Sequence, residues 1–314
     1  VLCVHGHWKG AKQDPVVQAR CIGLAKLGFV ALSVDAFGAG ERGIDTPLGE
    51  YHGEMVAATL LPTGTTLPGI QVYENMRAAD YLQSLPFVQS ENLGITGTSG
   101  GGNQTMYAGA LEERFKCVVP VCSVGNYQAY LGVACCMCEL MPDALAFTEE
   151  WGVLGLTAPR GLMVINATRD GVQFSVAEAR KSLAATGELY DVLGAARNVR
   201  HVVVDSGHDY NQPMREAMYG WMTRFLKGEG DGSPIAEPEI VTRDPEIVRC
   251  YPNGTRGKDH VSVPMFAERL AGHAIGRQEF DDHEMALRTD LKIRAKQLAD
   301  ELDYGVNTAE LSNE

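Results

Sequence analysis

Long apolar runs are missing from this sequence. No stretch of its 314 residues approaches the length of a membrane span, so a bilayer-crossing helix is not expected. Positive charge is also scarce: 27 Lys and Arg stand against 40 Asp and Glu, for a net charge of −13. No cluster of Lys and Arg appears. A phosphate-binding face needs one, so a nucleic-acid partner is excluded. The glycine-rich stretch Phe37 to Gly43 lacks the Gly-Lys-Ser/Thr ending of a phosphate loop and the spacing of a dinucleotide fingerprint. Among the eight cysteines, Cys135, Cys136 and Cys138 are crowded together, but no further ligands follow at zinc-finger spacing. They are expected as packing thiols rather than a disulfide. Cys3, Cys21, Cys117 and Cys122 lie in apolar runs and read as small core residues. His5 and His7 would share a strand face, yet no carboxylate or third histidine is spaced to complete a site, so no metal is expected. The chain opens on Val1, without methionine or signal peptide and inside a core-type strand. Residues upstream are therefore expected, and any targeting segment with them.

What is present is an alternation of short apolar runs and helical patterns. Strands are expected at Val1–Val4, Phe29–Val34, Leu93–Thr96, Phe115–Cys122, Arg160–Ala167 and Val199–Val204. Helices are expected from Pro15 to about Leu27, at Gln71–Leu85, Asn103–Glu113, Val176–Leu189 and Pro213–Lys227. Pro15 follows Asp14 at a helix start and Gly28 stops that helix. Such alternation gives an α/β fold, a mostly parallel sheet with helices on both faces. Residues 44–70 read as a long excursion around one or two helical turns and 123–155 as one without clear periodicity, and both are expected to wall a pocket. Residues 1–228 read as one catalytic domain and 229–240 as a polar linker. Residues 241–314 read as a C-terminal extension, extended over Glu239–Cys250 and helical over His283–Leu302.

Each polar cluster follows the carboxyl end of a strand, where reactive loops of parallel sheets gather. Gly97-Thr98-Ser99-Gly100-Gly101 is the sharpest of them. It sits between a strand and a helix with G-x-S-x-G spacing, the signature of a nucleophile elbow. The turn is strained, so the positions two before and two after the serine must lack bulk. A serine hydroxyl needs a base in reach and a group that orients the base. His208 follows the last strand and fits the base; the bland alternative is a surface histidine in a turn. Asp170 follows the strand before it and fits the acid, or else caps the next helix. Asp205 and Asp209 are rival acids, too near His208 in sequence for a cross-loop pair. A developing oxyanion needs two donors: the Gly100 amide, and an amide from His5-Gly6-His7, with His7 preferred over Trp8. Trp8 could line a substrate pocket or simply pack. Glu41 and Arg42 could touch substrate, although an ion pair or loop anchor is the plainer reading.

Taken together, His5-Gly6-His7, Asp35 with Gly38 to Gly43, Gly97 to Gly101, Asp170 and His208 resemble the α/β-hydrolases. Ala158-Pro159-Arg160 and Cys138 to Pro142 resemble the acetyl xylan esterase-like branch, which borders on dienelactone-hydrolase and prolyl-oligopeptidase-like groups. The resemblance covers about residues 1–228. It implies an α/β-hydrolase fold lacking its first strands and a Ser-His-Asp ester hydrolase that needs no metal or cofactor. It also implies a small-molecule or carbohydrate ester as substrate and export to the periplasm or beyond. A peptidase of the prolyl-oligopeptidase type shares the triad, but the propeller or cap it normally carries is not seen in these residues. A non-catalytic module of a larger protein is the alternative of another class.

Overall fold

The computed structural model describes residues 1–43, 53–133 and 141–275. The cysteines at 135, 136 and 138 and the helix expected at 283–302 lie outside the described residues. Five parallel strands form one sheet: β1 (Leu2–Val4), β2 (Leu93–Thr98), β3 (Phe115–Val121), β4 (Gly161–Arg169) and β5 (Val199–Gly207), in spatial order of their numbers. The run Phe29–Val34, expected as a sixth strand, meets β1 through a single bridge, Leu2 to Leu32. Cys3 N–H donates to Leu32 O at 2.7 Å and Leu32 N–H to Val1 O at 3.0 Å.

Parallel strands need long crossovers, and helices supply them. These are α1 (Pro15–Lys26), α2 (Gly53–Ala58), α3 (Leu67–Ser84), α4 (Gly100–Leu111), α5 (Tyr127–Gly132), α6 (Glu150–Gly155) and α7 (Val176–Val192), and α8 (Gln212–Met222) follows β5. Local chemistry sets their starts. Asp14, Thr66, Asn126, Ser175 and Asn211 each cap a first turn by accepting a backbone N–H. Gly28, at φ 84°, ends α1 in a left-handed turn.

The strand side chains alternate between two cores. Leu2, Val4, Ile95, Val118, Leu162 and Val164 face one side, with Leu82 of α3 and Tyr190 of α7. Val1, Cys3, Val119, Val121, Met163 and Ile165 face the other, with Leu24 of α1 and Met218 and Trp221 of α8. Both faces are covered, which is why these strands read as continuous apolar runs. Each fully buried aliphatic side chain contributes about 1.5–3 kcal/mol. Cys3, Cys117 and Cys122 are buried and Cys21 half-buried, all as free thiols.

The chain divides into two compact units, Val1–Phe266 and Ala267–Glu314. The first takes in the stretch 229–240, expected as a linker, and the beginning of the extension. These segments dock through polar contacts. Ile235 N–H donates to Glu216 O, Glu237 accepts from Arg215 and Tyr219, and Lys26 Nζ donates to Glu239 O. Further on, Arg243 N–H donates to the Gln18 side chain. No helix among the described residues is long and apolar enough to cross a membrane.

Candidate active site

The elbow joins β2 to α4. Ser99 sits at φ 57°, ψ −127°, a conformation that side chains rarely adopt. Its N–H donates to Val121 O at 3.0 Å, and its carbonyl accepts from Gly102 and Asn103. The flanking glycines are steric requirements. A Cβ on Gly97 would lie 2.4 Å from Gly101 O, and one on Gly101 would lie 2.6 Å from Val4 O. The dipole of α4 adds positive potential at the end that Ser99 heads.

The loop after β1 lies against this turn. A Cβ on Gly6 would come within 2.5 Å of Thr98 O, 3.0 Å of Ser99 Cβ and 3.3 Å of Gly100 N. Three successive carbonyls of the loop are held by side chains. The buried Arg20 guanidinium donates to Val4 O, Gln104 Nε2 to His5 O at 3.2 Å, and His5 Nδ1 to Gly6 O at 2.7 Å. The other ring nitrogen of His5 accepts from Ala36 N–H at 3.0 Å. That pattern requires the neutral imidazole. Burial depresses the His5 pKa and outweighs the nearby Asp35 carboxylate, in agreement with a neutral ring.

His208, on the loop after β5, places Nδ1 2.9 Å from both carboxylate oxygens of Asp170. A carboxylate only accepts, so Nδ1 carries a proton, and the neutral ring then has its lone pair on Nε2. The Asp170 side chain is 3% exposed and that of His208 31%, so the acid is enclosed and the base reachable. Asp170 is further fixed by the Gly171 N–H at 2.7 Å. The rival carboxylates are engaged elsewhere: Asp205 with Thr168 and Arg169 on the surface, Asp209 with its neighbour's Tyr210 N–H. The Trp8 ring lies 6.0 Å from that of His208, and its Nε1 is buried with no hydrogen-bond partner.

Glu41 and Arg42 serve the chain around them. Glu41 accepts from Lys12 and from the amides of Cys250 and Tyr251, at 3.0 and 2.8 Å. Burial would raise its pKa, but Lys12 and the two amides outweigh burial and hold it below its ordinary value. Arg42 binds Asp35 O and Glu74. Both border a cavity of about 740 Å³ closed by residues of the segment 250–261; Ser99 and His208 are not among its lining residues.

Two residues near His208 escape sequence reading. Cys122, expected as a small core residue, follows β3 at φ 47°, donates to Asp209 O at 3.4 Å, and has its sulfur within 4.8 Å of ligand atoms of Asp170 and His208. Burial and the neighbouring Asp170 carboxylate keep it a thiol, pushed up to about 12. Phe174 packs on His208 itself. Its only sequence signal is an aromatic in the loop that carries the acid.

Residues 66–139 match the prolyl oligopeptidase family. Over 209 residues the chain is 35% identical to "Putative hydrolase YtaP" of Bacillus subtilis (strain 168), covering 65% of this chain and 67% of that protein. The chain belongs to the α/β-hydrolases. This α/β-hydrolase is an enzyme of the serine hydrolase type. Among solved structures its fold resembles Methylesterase BT1017, at TM-score 0.60 and 21% identity over 92% of this chain and 60% of that one. It also resembles the glucuronoyl esterase of Sporotrichum thermophile, at TM-score 0.50 and 16% identity over 76% and 70% of the two chains. A third is a "putative acetyl xylan esterase" from Bacteroides fragilis, at TM-score 0.50 and 19% identity over 64% and 57%. The chain thus spans about 60% of the methylesterase's length. At these identities the likeness is one of fold.

Proposed function

We propose that this α/β-hydrolase is a carboxylic ester hydrolase whose triad is Ser99, His208 and Asp170. The observation that carries the reading is the enclosed Asp170 carboxylate on His208 Nδ1, on the loop next to the one bearing the base. In this scheme Ser99 Oγ attacks the ester carbonyl and His208 Nε2 takes its proton. The amides of Gly100 and His7 hold the oxyanion. The imidazolium, steadied by Asp170, returns its proton to the leaving alcohol. Water, activated by the same nitrogen, then attacks the acyl-enzyme and releases the acid. Every step uses groups the chain supplies, with no cofactor.

The substrate we propose is an acyl or carbohydrate ester of the acetyl xylan esterase-like kind. The solved neighbours named as esterases support that class, as does the Trp8 indole beside the base, suited to the apolar face of a sugar or acyl group. The match to the prolyl oligopeptidase family favours a second reading, a serine peptidase with the same triad. An aryl acetate assay on wild type and Ser99→Ala tests the chemistry: loss of turnover in the variant is expected, and equal turnover ends the proposal. Parallel assays with acetylated xylan and proline-containing peptides separate the two substrate classes.

A further inference from the structure

The acid loop carries an aromatic ring that this scheme leaves unused. Phe174 closes the short turn Val172–Phe174 and is only 2% exposed. Its ring stacks on His208, with centroids 5.8 Å apart and planes 23° from parallel. Asp170 grips the imidazole at one edge only, through Nδ1. A ring held at one edge can still swing about that bond. A flat neighbour on its face removes the swing.

Phe174 is itself pinned from two sides. Asn166, wholly buried on β4, donates from Nδ2 to Phe174 O and to Val124 O, both at 2.9 Å, and its Oδ1 meets His201 Nε2 at 2.9 Å. One amide thus ties the loops after β3 and β4 to β5. On the other side the Tyr130 ring lies 5.7 Å from Phe174, and the Tyr130 hydroxyl accepts from Asn103 Nδ2 at 3.3 Å. Asn103 belongs to α4, the helix that Ser99 heads. The stack is therefore referenced to both the acid strand and the nucleophile helix.

We propose that Phe174 and Asn166 are positioning residues for the base: Asn166 fixes the acid loop, and Phe174 holds the His208 imidazole in the plane that aims Nε2 at Ser99. The inference rests on the triad reading above. The face of Phe174 also attracts the imidazolium formed during attack, through the ring quadrupole.

The test compares Phe174→Leu, Phe174→Tyr and Asn166→Asp with wild type, by aryl ester kinetics against pH and by NMR titration of the His208 ring. Leu fills the space without a flat face, and Tyr keeps the stack. Asn166→Asp replaces the donors facing Phe174 O and Val124 O with an acceptor. Phe174→Leu and Asn166→Asp are expected to lower kcat about 10- to 100-fold with KM within about threefold. Phe174→Tyr is expected to stay within about threefold of wild type. In Phe174→Leu the acid limb of kcat/KM and the NMR signals of the His208 ring should both differ from wild type. A Phe174→Leu enzyme with kcat within twofold of wild type and an unmoved His208 titration overturns the proposal. The NMR reading stands apart from the choice of substrate. A shifted His208 titration in a protein whose wild type turns over no ester supports the stack and fails the esterase reading instead.

Discussion

Gly6 lies close against Ser99: a methyl group added to Gly6 would lie 3.0 Å from the Ser99 Cβ and 2.5 Å from Thr98 O. The loop that would supply the second oxyanion donor is therefore set directly on the nucleophile turn, with no side chain between them. Gly6→Ala must push the two apart by several tenths of an ångström. Stability should fall by about 1–3 kcal/mol, as in other overpacked sites. Ester kcat should fall about 10²- to 10³-fold, the range for losing one oxyanion donor. Stopped-flow acylation with an aryl acetate checks this, and an unimpaired acylation rate would sink the oxyanion assignment.

Asp170 and Asp205 offer a paired test of the acid. Asp170 is enclosed and bonded to His208, whereas the Asp205 side chain is 81% exposed and spent on Thr168 and Arg169. Asp170→Asn keeps the shape but lets the amide present an N–H to Nδ1, favouring the wrong tautomer. Its kcat should drop by about 10³- to 10⁴-fold. Asp205→Asn should stay within about twofold. Steady-state kinetics on both variants decides, and the reverse pattern would move the acid to Asp205.

The parts of this molecule that are legible in the sequence are those governed by local chemistry. Gly97 and Gly101 flank Ser99 because backbones meet there, and steric need of that kind leaves glycines behind. Asp170 and His208 each follow an apolar strand, so their topological place can be read without coordinates. The weaker readings fail for equally physical reasons. Phe29–Val34 has strand composition but shares only one bridge with β1. Residues 229–261 find partners distant in sequence, such as Arg215 and Tyr219 for Glu237, that no local pattern announces. Phe174 reads as any loop aromatic, since stacking on His208 depends on the fold of its turn.

Glu150 should give the protein a pH-dependent stability. It is 3% exposed, accepts the Gly125 N–H at 3.1 Å as its one hydrogen bond among the described residues, and has Glu149 beside it. Burial, with help from Glu149 and against that single hydrogen bond, pushes its pKa up to about 8. The folded protein thus holds a proton that the unfolded chain releases near its ordinary value of 4.5. Folded molecules bind more protons between those two values, so stability falls as pH rises through that window. The loss is at most about 5 kcal/mol, since each pH unit between the two values is worth about 1.36 kcal/mol. Glu150→Gln keeps an acceptor for Gly125 and removes the titration. Melting curves from pH 5 to 8 should therefore slope less in Glu150→Gln than in wild type. Parallel slopes would show that Glu150 is ionised in the fold.

Glu41 should hold residues 250 and 251 against the loop after Asp35. Its carboxylate takes the N–H groups of both Cys250 and Tyr251, while Lys12 bridges it to the buried Asp35. Glu41→Ala leaves those two amides unpaired and gives Lys12 one carboxylate in place of two. Removing one member of such a buried charged set costs about 3–5 kcal/mol where the rest stays enclosed, and less where the segment lifts into water. The segment around 250 is short of apolar anchors, with Ile247 74% and Tyr251 42% exposed, so lifting is the cheaper response. Hydrogen exchange at Cys250 and Tyr251 should accordingly speed up at least tenfold in Glu41→Ala, while the strand amides of β2 and β3 keep their protection. Aryl acetate turnover should hold within about threefold, because Ser99 and His208 do not line the cavity that Glu41 borders. A collapse of turnover with unchanged exchange at 250 and 251 would instead make Glu41 part of the substrate site.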